Sequence, residues 1–236
     1  MTHVIVTGAS GTVGTRVTAE LTRLGCSFST YTHRDKPDMC DWGRATHVIN
    51  CAAVVPCPGM DSGHYWAGNV AFLERLMPFW ADKHVVHFGT TSTLYRVHAY
   101  QVSKGVGETL LRTNEAHFAS LTIVPLPTLA DEGLITMLAE KASAAQAEGT
   151  DPPTVSRLRY GFCTPAEVAR HAVEDLVLGD GGTLSVEARD LYEQVRARTD
   201  APINEGAVQD RTCERERWAV TNDEALATFL ALFDEA

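Results

Sequence analysis

A doubly wound parallel α/β sheet followed by a small C-terminal lobe is the fold class this sequence predicts, and three observations carry the prediction. The apolar run His3-Val4-Ile5-Val6-Thr7 leads straight into glycines spaced three apart, Gly8, Gly11 and Gly14, and then into a helical pattern from Thr12 to Leu24. Short β-prone segments alternate with helical ones from there to Pro125, which is the pattern of strands laid parallel with crossover helices. The third β-prone segment, from His47, closes on Cys51, Ala52 and Ala53, side chains small enough for a flat ligand to lie against the strand ends. Together these give a Rossmann-type sheet, with a core over about residues 1–130 and substrate-side elements over 131–236 of a single domain.

The first strand, turn and helix place Gly8, Ser10, Gly11, Thr12, Val13 and Gly14 where a dinucleotide sits. Glycine lets the backbone turn sharply and approach a pyrophosphate, and the free N–H groups at a helix start favour its negative charge. The second strand, Ser27 to Thr32, ends in Tyr31-Thr32-His33-Arg34. An acidic residue there bonds a ribose 2′-hydroxyl, whereas arginine accepts a 2′-phosphate, so His33 and Arg34 favour NADP; Asp35 keeps NAD as the alternative. The connection to the third strand contains Pro37 and Asp41-Trp42 and is too short for a full helix; Asp41 is a candidate cofactor contact. Ser62 to Trp80 follows as a long amphipathic segment containing Asn69, then the strand His84 to Phe88.

The chemistry lies in Gly89-Thr90-Thr91-Ser92-Thr93-Leu94-Tyr95 and Tyr100-Gln101-Val102-Ser103-Lys104. Tyr100 and Lys104, four apart, share one helix face. An ammonium beside a phenol stabilises the phenolate and lowers the tyrosine pKa, making it a usable proton donor near neutrality. A hydroxyl at the preceding strand end then orients the substrate oxygen.

At these residues the sequence resembles the extended, or atypical, short-chain dehydrogenase/reductases of the NAD-dependent epimerase/dehydratase superfamily. The resemblance covers roughly residues 3–187 and rests on the segments 7–14, 48–53 and 86–95, the Asn69-Val70 helix and Tyr100-x-x-x-Lys104. It implies that Thr91 is the catalytic hydroxyl, Tyr100 the acid/base and Lys104 the nicotinamide-ribose ligand, with Cys51, Ala52, Ala53, Asn69 and Pro125 along the cofactor. Within that family the short loop after strand two and segments 48–53 and 86–95 are most similar to dTDP-4-dehydrorhamnose reductases, NADPH-dependent enzymes acting on a nucleotide-sugar ketone. Two departures stand out. Eight residues separate Thr91 from Tyr100, fewer than is usual in the family, with Ser92 and Thr93 as rivals for the substrate hydroxyl. Pro125 stands where the family usually carries an arginine.

In the C-terminal half, Leu138 to Ala147 is a good helix former, and Thr164-Pro165 reads as an N-cap with proline at the first helical position. Arg157 and Arg159 lie just before it and suit a substrate phosphate. A strand Thr183 to Val186, a helix Ala188 to Arg198, a polar stretch over 199–217 and a helix Asn222 to Phe233 complete the reading.

Composition bounds the alternatives. At 236 residues and 44% hydrophobic content there is material for one ample core. A formal charge of -10, from 30 acidic against 20 basic side chains, opposes binding to nucleic acid or an anionic membrane. Six scattered cysteines without a Cys-x-x-Cys pair read as reduced thiols of a cytoplasmic protein. His84 and His87 fall on opposite faces of a strand, so no metal site is expected. The expected activity is NADP-dependent reduction of a carbonyl on a small polar substrate, in a protein able to form a homodimer. The alternatives are a sugar epimerase or dehydratase with bound NAD, and a cofactor-binding regulatory protein without turnover.

Overall fold

The computed structural model describes residues 2–56, 59–90, 99–126, 128–129, 134–179, 181, 184 and 187–210. They fall into two units, one drawn from Met1–Leu126 and Val168–Leu184, the other from Pro127–Glu167 and Ser185–Ala219.

The first unit contains β1 (His3–Thr7), α1 (Thr12–Arg23), β2 (Ser27–Tyr31), β3 (His47–Asn50), α2 (Ser62–Trp66), α3 (Phe72–Leu76), β4 (His84–Thr90), α4 (Ala99–Thr113) and β5 (Ser120–Leu126). Its five strands run in the order β2-β1-β3-β4-β5, every neighbouring pair parallel. All five residues of β1 are buried, as a central strand covered on both faces requires. Ile5, Val48 and Val85 point to one face, where Leu73, Leu76, Trp80 and Leu111 complete the core. Val4, Val6 and Ile49 point to the other, on which α1 buries Val17 and Leu21.

Between β2 and β3 the chain forms two single 3₁₀ turns, Pro37–Met39 and Trp42–Arg44, in place of a helix. Trp42 plugs the space: its ring packs on Tyr31 and Phe79, and its Nε1 donates to the Pro37 carbonyl at 2.7 Å. The 62–80 segment is helical throughout but not uniform. A π-turn at Ala67–Ala71 separates α2 from α3, and Met77–Trp80 tightens to 3₁₀ around Pro78, which has no N–H to continue an α-helix.

A polar ladder crosses the sheet beneath its C-terminal edge. Thr7, Asn50 and His87 are register partners on β1, β3 and β4 and are all buried. The Ala52 N–H donates to Asn50 Oδ1, which also accepts from the Thr7 hydroxyl, and this fixes which end of the amide is oxygen. Nδ2 therefore donates to His87 Nδ1 at 2.7 Å, leaving the imidazole proton on Nε2. Burial, then the nearby Lys104 charge, holds the His87 pKa well below the ordinary value, so the ring stays neutral. Asn50→Leu, which strands the Thr7 hydroxyl and His87 Nδ1, is expected to cost about 2–4 kcal/mol in urea unfolding; unchanged stability would show the ladder to be dispensable.

The second unit is a four-stranded mixed sheet of β6 (Thr128–Leu129), β7 (Thr154–Cys163), β8 (Glu187–Asp190) and β9 (Asn204–Asp210), with α5 (Leu134–Glu148) and α7 (Leu191–Arg196). Ile135, Ala139, Val155 and Val195 form its core. α6 (Pro165–Arg170) opens with a reciprocal cap: Glu167 N–H donates to Thr164 Oγ1, while Thr164 N–H and its hydroxyl donate to Glu167 Oε2. The chain then re-enters the first unit, where His171, Ala172 and Val173 are buried and Glu174 pairs with Arg23 of α1.

Two sequence expectations are displaced here. The helix expected from Ala188 starts at Leu191, because Glu187–Asp190 is a strand paired antiparallel to β7; the strand expected at 183–186 lies, apart from Leu184, outside the described residues. The polar stretch after 199 contains β9, which runs parallel to β7; cross-strand pairing, invisible in local composition, makes it a strand. The helix expected at 222–233 lies outside the described residues. Among the described residues no helix is long and apolar enough to cross a membrane, and no three His, Cys, Asp or Glu side chains are grouped to hold a metal ion.

Candidate active site

The site begins where β1 ends. Gly8 has φ of +65° and lies against the chain that leaves the third strand so closely that a Cβ would fall 2.6 Å from the Ala52 backbone. The Gly11 N–H closes the turn on the Gly8 carbonyl at 3.0 Å, and α1 starts with Gly11 as its N-cap. No side chain caps that helix and no acidic residue occupies its first turn, so its leading N–H groups are open to an anion.

A cavity of about 700 Å³ opens at this point, where the strand order reverses between β1 and β3. Gly8, Ser10, Gly11, His33, Cys51, Ala52 and Ala53, seven of the residues proposed from sequence for the cofactor, line it. Thr12, Val13 and Gly14 form the first turn of α1 behind that wall. Asn69 is a brace: buried in the π-turn, it accepts from Val54 N–H, donates to the Val54 carbonyl and to Ser103 Oγ, and so ties the wall at 51–54 to α4. Arg34 and Asp41 are exposed and are not part of the cavity wall, and Pro125 lies exposed on β5 opposite Gly89. Arg157 and Arg159 stand on β7, but their side chains lie outside the described residues, as do Thr91, Ser92 and Thr93 entirely.

The opposite wall was not anticipated. Ala67, Ala71 and Arg75, with Gly68 and Phe72 beside them, form a stripe at helical spacing that faces the cavity, joined by Met60 and His64. Gly68 permits the approach, since a Cβ there would lie 2.1 Å from Val54 Cγ2. The Arg75 guanidinium sits 5.7 Å from the Phe72 ring centroid, and among the described residues no carboxylate pairs with it. At the end of β2, the Asp35 carboxylate accepts from both the N–H and the hydroxyl of Thr32, at 2.7 and 2.9 Å. Those bonds pull its pKa down and commit the acid to its own turn, while Thr32 and His33 face the cavity.

On α4, Tyr100 and Lys104 do share a face, as the spacing requires. Lys104 is 3% exposed and its Nζ donates to the Phe88 carbonyl at 2.8 Å. Burial pulls the Lys104 pKa down to about 8, with the Glu108 carboxylate pushing it back up. The Tyr100 phenol departs from the sequence expectation: burial raises its pKa, and the group that lowers it is a side-chain hydrogen bond with Thr90 rather than the Lys104 ammonium. Tyr65 packs edge-on against the Tyr100 ring at 6.0 Å. Thr90 is thus a site hydroxyl that sequence reasoning passed over in favour of its neighbour Thr91. Its place at the end of β4 was the available signal.

These features give the chain the fold of the short-chain dehydrogenase/reductases. No family model matches the sequence, and no curated protein matches it. Among solved structures, the chain is similar to a short-chain dehydrogenase/reductase superfamily protein from Agrobacterium tumefaciens with bound NAD, at 17% identity and a TM-score of 0.68, covering 99% of this chain and 97% of that one. It is similar to RMD from Pseudomonas aeruginosa complexed with NADPH, at 16% identity, TM-score 0.65 and 100% coverage of both chains. It is also similar to a UDP-glucuronic acid 4-epimerase from Bacillus cereus in complex with NAD, at 14% identity and TM-score 0.65, covering 99% of each.

Proposed function

We propose that the protein is an NADP-dependent reductase of a carbonyl group on a small polar substrate, such as a nucleotide-linked sugar or a natural-product intermediate. The observation that carries the reading is the Tyr100 phenol, hydrogen-bonded to Thr90 at the end of β4, with the buried Lys104 ammonium one helical turn away. The glycine cradle fits a dinucleotide: Gly8 turns at positive φ with no room for a Cβ against the Ala52 backbone, and the start of α1 beside it has no side-chain cap. A bound nicotinamide would supply the hydride. Tyr100 would give its proton to the substrate oxygen as charge develops there, and a phenol with a raised pKa holds that proton until it is wanted. Thr90 would orient the same oxygen, Thr91 is the further candidate implied by resemblance, and Lys104 would hold the ribose.

NADP over NAD is supported by the adenosine end of the cavity. Asp35 is occupied by Thr32, whereas His33 and Arg75 line the wall and Arg34 stands in the adjoining exposed turn, in a protein whose formal charge is -10. Titration with NADPH and NADH tests this. Arg34→Ala and Arg75→Ala are each expected to weaken NADPH binding about tenfold, the loss of one charge-assisted hydrogen bond, while NADH binding changes little. A preference for NADH, or NAD that co-purifies and does not exchange, would replace this reading with the epimerase or dehydratase. Nucleotide binding without turnover over a broad carbonyl panel would replace it with a regulatory protein.

A further inference from the structure

Tyr100, Lys104 and Glu108 repeat at every fourth position along one face of α4. The reading above uses the first two and leaves the third without a role. Glu108 reaches the end of β4: its Oε1 accepts the Thr90 N–H at 3.3 Å, and a Cβ at Gly89 would lie 2.3 Å from that same oxygen. The absence of a side chain at Gly89 is what admits the carboxylate. The short strand end it meets carries both contacts of the acid–base pair, since Thr90 bonds the Tyr100 phenol and the Phe88 carbonyl accepts from Lys104 Nζ.

Charge leads to the same residue. An ammonium removed from water is costly unless an anion or a full set of acceptors compensates it. Around the pair, the titratable groups among the described residues are His87 on β4, Tyr65 on α2 and Glu108 on α4 itself. His87 is held neutral by burial, and Glu108 is the carboxylate among these groups. Its charge also pushes the Lys104 pKa upward against burial.

We infer that Glu108 is a positioning residue of this site, fixing the Thr90 end of β4 against the Tyr100 phenol and supplying the counter-charge for the buried Lys104 ammonium. The inference rests on the reading of Tyr100 and Lys104 as the acid–base pair, and it adds a residue that touches neither substrate nor cofactor.

Glu108→Gln keeps the side-chain shape and an acceptor for the Thr90 N–H but removes the charge. Below neutral pH the variant is expected to bind NADPH as the wild type does. On the alkaline side, where Lys104 loses its proton, the fall in NADPH affinity is expected about one pH unit earlier, the effect of losing a nearby opposite charge. Its melting temperature at neutral pH is expected about 2–4 °C below wild type, and that loss is expected to disappear in a Lys104→Met background. An alkaline limb superimposed on that of the wild type, or the same melting loss in both backgrounds, would overturn the inference. Failure of the wild type to bind NADPH would instead sink the function proposed above. The melting cycle reads the Glu108–Lys104 coupling without cofactor, so it decides this inference in either case.

Discussion

Tyr100→Phe is expected to lower turnover about 10²–10⁴-fold, the usual contribution of a positioned proton donor, while NADPH affinity stays as it was. The substitution removes one hydroxyl and keeps the ring, so the edge-on packing against Tyr65 at 6.0 Å survives and the fold should be unaffected. What is lost is the proposed proton donor. Burial keeps the phenol protonated well into alkaline solution, and the Thr90 hydrogen bond works in the opposite direction. The proton is therefore available throughout the neutral range, and it is Lys104, with a pKa pulled down to about 8, that titrates first as pH rises. Wild-type reduction is accordingly expected to decline through about that pH, whereas the residual rate of Tyr100→Phe has lost its donor at every pH. Following NADPH absorbance in single turnovers over a panel of ketones measures both effects. Full turnover by Tyr100→Phe would remove the phenol from the chemistry and with it the reductase assignment.

Backbone-determined features were the legible ones. The run from β1 through the glycine turn into α1 needs only an apolar strand, glycines at close approaches and a periodic helix, all of which are local. The Tyr100–Lys104 face was legible for the same reason, since four residues on a helix have one geometry. Direction and partner were not. That Lys104 turns to the Phe88 carbonyl, and that Thr90 rather than the ammonium lowers the Tyr100 pKa, follow from how α4 lies on β4, which no local pattern encodes. Arg75 was overlooked because a charged residue on an amphipathic helix is by default a solvated one, although Ala67, Gly68 and Ala71 already traced a small-residue stripe that leads to it and is fit to border a cavity. In the second unit, β9 has a polar sequence with no alternation and is a strand because β7 offers it an edge.

Gly14→Ala is expected to lose about 1–3 kcal/mol of stability and about 10² in NADPH affinity together, through a steric conflict that no side-chain motion can relieve. The new Cβ would stand 2.1 Å from the Gly8 carbonyl oxygen and 2.8 Å from the Ala9 Cα, both backbone atoms of the turn that forms the cradle. To make room, either α1 must move away from β1 or the Gly8–Gly11 turn must open. The first uncovers Val17 and Leu21, and the second shifts the N–H groups that an incoming pyrophosphate would meet. Gly11→Ala is the control. Its φ of -79° suits any residue, and the nearest atom to its added Cβ is 3.4 Å away, at ordinary van der Waals contact. Thermal melting should therefore leave Gly11→Ala near wild type while Gly14→Ala falls. NADPH titration of both variants then separates the two uses of glycine in this turn: at Gly14 a packing requirement of the helix, at Gly11 only the space left for a ligand. If Gly11→Ala were the less stable of the two, the helix would not rest on the Gly8 carbonyl, and the close approach of α1 to β1 would have to be abandoned as the origin of the cradle.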